Sequence, residues 1–314
     1  VYFYDNNLKY LVPDVRWFPS RASTTTLIVN AVLNGPAEWL HDGVQSAIPD
    51  GSRLSIDSVA VESGVAKIDL TSAALKATAA ERRLMKAQLL ATLSQIPGVS
   101  DVQVLVERTP QDIVDLPAVD SASNNETPIG LSNNQLRHIG GSRAAIRNSS
   151  YSLNRVSPTG FALTPDESRL ALRGRGGIWL AQLDSIGQAI NLIDRRAGLL
   201  NPVFDVDGTL WSTGSSSKSA LFTYAADGSA RQIDSPWLAS IKRKQFAISP
   251  EGSRIAFLES RKSGNVLWVA VIIRNPEGQP VGLGNPIEID SVGAAVTSFA
   301  WANETKIAVL DRKS

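Results

Sequence analysis

The chain carries one pattern, Thr164-Pro165-Asp166-Glu167-Ser168-Arg169-Leu170-Ala171-Leu172, a second time as Ser249-Pro250-Glu251-Gly252-Ser253-Arg254-Ile255-Ala256-Phe257. Each copy is a polar turn with a proline and an acidic residue, followed by an apolar strand. Two weaker copies occupy Asp205–Trp211 and Ala302–Val309. The equivalent apolar residues are spaced by 40, 45 and 52 residues, and they are Leu170, Leu210, Ile255 and Ile307. A period of about 40–50 residues with room for four short strands is typical of a β-propeller blade.

The region from 128 to 314 is therefore predicted to be an all-β propeller fragment. Each blade opens with an apolar strand near the propeller axis, and these strands are Phe161–Leu163, Val203–Phe204, Phe246–Ile248 and Phe299–Trp301. No blade buries both of its faces alone, so neighbouring blades have to stack. We expect three full blades and, in Val296–Val309, the inner half of a fourth. Ile129–Ser132 and Leu136–Ile139 are candidates for the outer half of the closing blade. A closed ring needs more chain, so we expect this chain to be part of a longer protein.

Residues 1–108 mix helical and strand periodicities and are predicted to form a separate α+β domain. The predicted elements are strands at Val1–Asp5, Leu11–Pro13, Leu54–Glu62, Val65–Leu70 and Val99–Val106, and helices at Thr24–Asn34 and Ala73–Ile96. The second helix has one apolar stripe, made of Met85, Leu89, Leu93 and Ile96. Between the domains, residues 109–127 hold two prolines, four acidic side chains and no Lys or Arg. This composition indicates a linker, or a strap that lies along a neighbour.

Composition excludes several classes of protein. The 314 residues are 43% hydrophobic and 19% charged, which is ample for a core and excludes disorder as the dominant state. The net charge of +1 argues against a general nucleic-acid binder, and no apolar run reaches the ~20 residues of a membrane helix. The sequence has no cysteine and two histidines, which excludes disulfides, thiolate metal sites and multi-histidine metal centres.

No motif in the sequence carries catalysis, so we predict a protein without catalytic residues, cofactor or metal. There is no G-x-S-x-G nucleophile elbow, no H-E-x-x-H pair and no P-loop. His41 and His138 are interpreted as surface or packing residues, because no motif supplies partners for them. Asp205–Gly208 resembles the start of a calcium loop, but Ser216 stands where the bidentate Glu is required. Arg173–Gly177 could hold a phosphate through its backbone amides, but it is interpreted as a plain turn because it connects the second and third strands of a blade.

The charges of the two domains differ. Residues 1–108 carry a net charge of −1 and residues 128–314 a net charge of +6. In a propeller, the turns between strands two and three share one mouth with the connections between blades. The cationic residues predicted at this basic mouth are Arg173, Arg175, Arg195, Arg196, Lys218, Lys242, Arg243, Arg261 and Lys262, with Trp237 as a candidate aromatic anchor. The acidic residues predicted at the opposite mouth are Asp166, Glu167, Asp184, Asp207, Asp227, Glu251, Glu277 and Glu304. Such segregation is typical of an electrostatically steered docking surface, and a solvated scatter of charge is the alternative interpretation.

The first domain resembles the GerMN domain of spore-germination type. The matching pieces are Val1–Tyr4, Leu11–Pro13, Leu33–Pro36, Ala47–Ser52, Ile68–Leu70, Gln88 and Thr92–Val99. Joined to a propeller that opens at Pro128–Leu131, the domain order resembles the actinobacterial LpqB lipoprotein family over nearly the whole chain. The sequence departs from the family plan, because the lipid-bearing cysteine, an N-terminal domain and the later blades are absent from it.

This resemblance implies an extracytoplasmic, non-enzymatic protein that is lipid-anchored to the outer face of the cell membrane. It implies binding to the extracellular domain of an MtrB-type sensor histidine kinase, with effects on the cell envelope and division. Contact with the membrane would be through the lipid anchor alone, and no nucleic acid is implied. Two other functions stay open: binding of wall polysaccharide or peptide at the propeller mouth, and hydrolysis, since propellers also host hydrolases.

Overall fold

The computed structural model describes residues 1–116, 129–132, 135–139, 153–183, 190–289 and 295–311. The chain divides into two compact units. The first is Val1–Val119 with Arg274–Gln279, and the second is Asp120–Ile273 with Pro280–Ser314. The first unit mixes helices and strands, and the described part of the second is built almost entirely of strands. The predicted fold class, an α+β domain followed by an all-β propeller region, is confirmed.

The described part of the first unit contains two α-helices, two 3-10 helices (Glu38–Gly43 and Ser72–Lys76) and two small sheets. In chain order, the elements are β1 (Tyr2–Asp5), β2 (Leu11–Pro13), α1 (Thr24–Leu33), β3 (Val44–Gln45), β4 (Ala60–Glu62), β5 (Val65–Leu70), α2 (Ala79–Leu93), β6 (Asp101–Val106) and β7 (Thr109–Pro110). One sheet has the order β2-β1-β3 and the other β4-β5-β6-β7, in which β5 and β6 run parallel with α2 between them in sequence. The strand predicted over Leu54–Glu62 is shorter than expected, because only its last three residues form a continuous ladder with β5, and Leu54 makes an isolated bridge to Leu70.

Helix α2 begins later than the sequence predicts. Ser72–Lys76 is a separate 3-10 turn, and the helix starts at Ala79 because Thr78 caps it. The Thr78 Oγ1 accepts a hydrogen bond from Glu81 N (3.3 Å), and the Glu81 carboxylate accepts one from Thr78 N (2.7 Å). This capping box satisfies two donors that the first turn would leave unpaired. Three residues of the predicted apolar stripe, Met85, Leu89 and Leu93, are buried on the helix. The fourth, Ile96, lies beyond the end of the helix at Leu93 and is half-buried.

A buried glutamine joins α2 to the first strand. The Gln88 side chain is fully buried; its Oε1 accepts from Ala47 N (2.8 Å), and its Nε2 donates to Tyr2 O (2.9 Å). One turn further along, Thr92 Oγ1 accepts from Tyr2 N (3.0 Å). Both backbone groups of Tyr2 are thereby satisfied by one face of the helix, which fixes the position of α2 against β1.

The first residues of the predicted linker are part of the first unit. Thr109 and Pro110 form β7, which pairs with β6. Further along, Asp115 forms an ion pair with Lys86 on α2 (2.7 Å), and its carbonyl accepts from Arg83 (3.4 Å). The described part of this acidic segment therefore lies along α2, as a strap would.

The second unit consists of successive antiparallel sheets. The strands are β8 (Ile129–Ser132), β9 (Gln135–His138), β10 (Gly160–Leu163), β11 (Arg169–Gly174), β12 (Gly177–Gln182), β13 (Asn191–Asp194), β14 (Val203–Phe204), β15 (Leu210–Ser212), β16 (Phe222–Tyr224), β17 (Ala230–Gln232), β18 (Arg243–Ile248), β19 (Arg254–Arg261), β20 (Gly264–Arg274), β21 (Pro280–Leu283), β22 (Ile287–Glu288), β23 (Val296–Asn303) and β24 (Lys306–Asp311). The three predicted full blades are β10–β13, β14–β17 and β18–β21, each in sequential order, with β22 added beside β20. The half blade is β23–β24.

The sheets stack face to face around their first strands. Strand β14 contacts β10 on one side and β18 on the other, and β18 contacts β23. The hydrophobic core lies between neighbouring sheets: Leu210 and Tyr224 of the second blade pack with Ala171 and Leu180 of the first. The β8–β9 hairpin joins the first blade through Leu136. In the described part of this unit, helical structure is limited to two short 3-10 turns, Leu153–Arg155 and Pro236–Ser240.

The repeated sequence pattern has a local structural cause. The side-chain oxygen of the first turn residue accepts a hydrogen bond from the backbone N–H of the arginine that opens the next strand. This bond is 3.0 Å from Arg169 to Thr164 and 3.0 Å from Arg254 to Ser249. Asp205 plays the same part in the second blade, where it accepts from Thr209 N (2.8 Å). Short polar side chains stabilise turns in this way, which explains why Thr, Ser and Asp occupy the position.

Candidate functional site

Four of the predicted basic residues lie exposed at one end of the sheets. Each blade is an antiparallel meander, so the turn between its second and third strands lies at the same end as the connection to the next blade. Arg175 is in the β11–β12 turn, Arg195 follows β13, Lys218 lies between β15 and β16, and Lys242 precedes β18. All four are exposed, and none has an ion-pair partner among the described residues. We call these four residues the exposed basic group.

Two further arginines of this mouth are half-buried and already bonded. Arg173 donates to Thr159 Oγ1 (3.1 Å) and to Leu199 O (3.4 Å). Arg196 forms an ion pair with Asp194 (2.6 Å) and donates to Ala220 O (2.6 Å). Their side chains therefore hold neighbouring strands and loops in place, and they present less charge to a partner than the sequence suggests.

Asp194 is the acidic centre of a network between the first and second blades. It is almost completely buried, and it accepts hydrogen bonds from Arg196 and from Ser212 Oγ (2.7 Å). Burial alone would raise the pKa of Asp194, but the hydrogen bonds from Arg196 and Ser212 outweigh it and lower this pKa. Burial, followed by the nearby Asp194 charge, raises the pKa of Tyr224 to about 12. The network is charged and bonded at neutral pH, as a structural element requires.

The expectation that Arg243 lies on the surface of the mouth is wrong. Its exposed fraction is 1%. The guanidinium donates to four backbone carbonyls, those of Gly214 (3.2 Å), Ser216, Ser219 (2.7 Å) and Leu238 (3.3 Å). Burial and the nearby Arg196 charge lower the pKa of Arg243 to about 10. Arg243 therefore holds two loops together from a buried position, and its role is structural.

Trp237 is not a free aromatic anchor either. Its indole N–H donates to Gly284 O (3.2 Å), and its ring packs edge-on against Phe257 with the centroids 5.7 Å apart. The side chain is half-buried and belongs to the edge of the core between the second and third blades. The sequence could not separate this packing role from an exposed one.

The remaining charged residues predicted at the two mouths differ in exposure and in pairing. At the basic mouth Lys262 is exposed, whereas Arg261 pairs with Glu259 (2.8 Å) and Glu288 (3.5 Å). Among the residues predicted at the acidic mouth, those exposed are Asp166, Asp207, Asp227 and Glu277, and those at least half-buried are Glu167, Glu251 and Glu304. Glu251 is paired with Arg254 (2.8 Å). Asp184 lies outside the described residues.

One cavity opens beside the exposed basic group. Its volume is about 230 Å³, and its walls are residues 217–221, which precede β16, and residues 232–239, which end β17 and include the 3-10 turn. Lys218 and Asp234 bring opposite charges to the lining, together with the hydroxyls of Ser217, Ser219 and Ser235. Sequence reasoning singled out Lys218 alone here. The cavity forms because a loop and a blade connection meet, and no local motif marks that meeting.

The described residues include both histidines of the chain, His41 and His138. No group of three His, Asp or Glu side chains in the described part of the chain is placed to hold a metal ion. His41 lies exposed 3.5 Å from Asp42, and His138 Nε2 lies 3.3 Å from Glu167. Across the described residues, no helix combines the length and apolar character needed to cross a membrane.

Comparison with known proteins defines the class to which this architecture belongs. A family model described as "Sporulation and spore germination" matches residues 1–112, and a second, described as "Lipoprotein LpqB beta-propeller domain", matches residues 141–314. The first GerMN domain of the sporulation protein GerM from Bacillus subtilis is 17% identical, covering 38% of this chain and 92% of its own, with a TM-score of 0.30. The two family models thus describe a domain of the sporulation and spore germination type followed by an LpqB-type β-propeller domain.

The chain belongs to the LpqB lipoprotein family, as the resemblance predicted. Lipoprotein LpqB from Thermobifida fusca (strain YX) is 22% identical over 380 residues, covering 100% of this chain and 59% of the relative. Lipoprotein LpqB from Cutibacterium acnes (strain DSM 16379 / KPA171202) is 22% identical over 353 residues, covering 99% of this chain and 58% of the relative. The chain spans a little over half the length of these curated relatives.

Proposed function

We propose that this chain works outside the cytoplasm, as part of a lipid-anchored protein, and that it docks without catalysis onto an acidic protein surface. The partner is the extracellular domain of a two-component sensor histidine kinase of the MtrB type, whose signalling affects the cell envelope and division. The observation that carries the proposal is the exposed basic group, whose four cations share one end of the propeller region and lack acidic partners among the described residues.

The physical basis is electrostatic steering. Unpaired cations at one end of a domain attract an acidic surface before contact, which raises the association rate. Arg196 and Arg243 support the arrangement indirectly, because they fix the loops around Lys218 and leave its charge free. The family name, lipoprotein LpqB, supports a lipid-anchored protein outside the cytoplasm. The identity of the partner as a sensor kinase is the more specific part of this proposal.

The test measures association of the full chain with the purified extracellular domain of the kinase. The variant replaces all four members of the exposed basic group, Arg175, Arg195, Lys218 and Lys242, by Gln. We expect its association rate constant to fall by about tenfold or more at low salt, with a smaller change in the dissociation rate.

A control variant makes the same change in net charge at residues that are not members of the exposed basic group. It replaces four other exposed cations by Gln, and they are Arg21, Arg53, Lys76 and Lys306. We expect this control to keep an association rate close to that of the wild type. Equal behaviour of the two variants, or the absence of binding by the wild-type chain, contradicts the proposal.

A further inference from the structure

We propose that the cavity between residues 217–221 and 232–239 is a binding site for a small zwitterionic ligand, a free amino acid or a short unblocked peptide. The ligand carboxylate would contact the Lys218 ammonium, and the ligand ammonium would contact the Asp234 carboxylate. This inference does not rest on docking to a kinase, because it concerns a small molecule, and Lys218 is the one member of the exposed basic group that it uses.

The walls of the cavity are held rigidly by buried groups. Arg243 donates to Ser219 O (2.7 Å) in one wall and to Leu238 O (3.3 Å) in the other, so one guanidinium joins the two walls. Arg196 fixes Ala220 O from the side of the first blade (2.6 Å). A site whose walls are already ordered spends little binding free energy on closing around a ligand.

The wall that carries Asp234 is fixed on its far side as well. Asp234 N donates to Val281 O (3.0 Å), and Asp234 O accepts from Leu283 N (2.9 Å). Both backbone groups are therefore used in a short pairing with the third blade, and Asp234, which is exposed, is part of the cavity lining. Its side chain has no hydrogen-bond or ion-pair partner among the described residues, and the same holds for the Lys218 side chain.

The lining chemistry selects for a ligand that carries both charges. A simple anion would be attracted by Lys218 but repelled by the Asp234 carboxylate. A simple cation would be attracted by Asp234 but repelled by Lys218. Hydroxyls from Ser217, Ser219 and Ser235 add neutral donors and acceptors, and Leu221, Ile233 and Leu238 add apolar surface. Small-molecule sites in proteins combine these features, an apolar body with a few convergent polar groups.

The size of the cavity agrees with this class of ligand. A volume of about 230 Å³ lies below the range of about 300–1,000 Å³ that is typical of sites for drug-sized ligands. That space suits a molecule with the number of non-hydrogen atoms found in an amino acid or a dipeptide. A longer polymer would have to extend out of the cavity.

The test is isothermal titration calorimetry of the full chain with two zwitterionic probes, alanine and alanylalanine. The matched blocked probes are N-acetylalanine, which lacks the ammonium, and alaninamide, which lacks the carboxylate. We expect saturable binding of at least one zwitterion and affinity at least about tenfold lower for both blocked probes, since each loses a charged hydrogen bond. The stronger of the two zwitterions distinguishes a free amino acid from a peptide as the ligand.

Two variants locate the binding in the cavity. We expect Lys218→Met and Asp234→Asn each to lower the affinity for the bound zwitterion by about tenfold or more. Lys262→Met is the matched control, because Lys262 occupies the corresponding turn of the third blade and does not line the cavity. The affinity of the Lys262→Met variant for the zwitterion should equal that of the wild type. Undetectable binding of both zwitterions, equal binding of the blocked probes, or equal affinity in the Lys218 and Lys262 variants overturns the proposal.

Discussion

The guanidinium of Arg169 lies over the ring of Phe204, with its central carbon 5.5 Å from the ring centroid, across the boundary between the first and second blades. The same relationship recurs between the third blade and the half blade, where Arg254 lies 5.0 Å from the centroid of Trp301. Both arginines follow the repeated turn, and both aromatic residues lie in the first strand of the next sheet. The repeat therefore encodes a contact between blades as well as a turn within each blade.

The contact between Arg169 and Phe204 should contribute measurably to stability. In a double-mutant cycle with Arg169→Met and Phe204→Leu, we expect a coupling free energy of about 0.5–1 kcal/mol, because leucine keeps the apolar packing and loses the cation–π attraction. Urea denaturation of the four proteins gives this value. A coupling free energy of zero would mean that the two side chains are neighbours without an attraction.

Arg243 should behave as a structural residue. Arg243→Met leaves the carbonyls of the loops at Gly214, Ser216, Ser219 and Leu238 without their donor, and we expect the free energy of unfolding to fall by about 2–5 kcal/mol. Chemical denaturation measures the loss. The adjacent exposed residue supplies the control, because Lys242→Met should change stability by about 0.5 kcal/mol or less. Similar small losses in both variants would show that Arg243 does not hold the loops.

The Asp194 network should make stability depend on pH in the acid range. Because the folded-state pKa of Asp194 is lowered, its contribution is complete above its unfolded pKa of about 3.9 and is lost as the pH falls through the folded value. The difference in unfolding free energy between wild type and Asp194→Asn should therefore be constant near neutral pH and shrink below about pH 4. Denaturation at a series of pH values tests this. A difference that grows on acidification would reverse the assigned sign.

The apolar stripe of α2 should carry much of the stability of the first unit. Leu89 is fully buried, so Leu89→Ala should lower the free energy of unfolding by about 2–5 kcal/mol. Lys86→Ala removes an ion pair with the largely exposed Asp115 and should cost about 1 kcal/mol or less. Urea denaturation of both variants in the full chain gives the comparison. Equal losses would place the core on another face of the helix.

Much of the fold was predictable from sequence because its signals are local or periodic. The repeat that ends in Leu170, Leu210, Ile255 and Ile307 located each blade, since every copy combines a turn with an apolar strand. The sequence placed the start of α2 too early, because Ala73–Lys76 has a composition that favours helix. In the structure the capping box between Thr78 and Glu81 starts the helix at Ala79 instead. In this case a specific pair of hydrogen bonds outweighed helix propensity.

The candidate site was less predictable, because charge in a sequence does not report burial. Arg175 and Arg243 look alike as basic residues next to turns, yet one is exposed and the other is enclosed by backbone carbonyls. That difference depends on two loops, at residues 214–219 and at Leu238, which are distant from each other in the sequence. Asp234 was overlooked for the same reason, since its place opposite Lys218 is set by pairing with the third blade.

The salt dependence of association with the kinase extracellular domain tests the central claim most directly. Between ionic strengths of about 0.01 M and 0.15 M, the Debye length falls from about 30 Å to about 8 Å. If the exposed basic group steers docking, the association rate constant of the wild-type chain should fall by about tenfold or more over this range, and less in the Gln variant of all four residues. An association rate that salt leaves unchanged, or that falls equally in both proteins, would contradict the account.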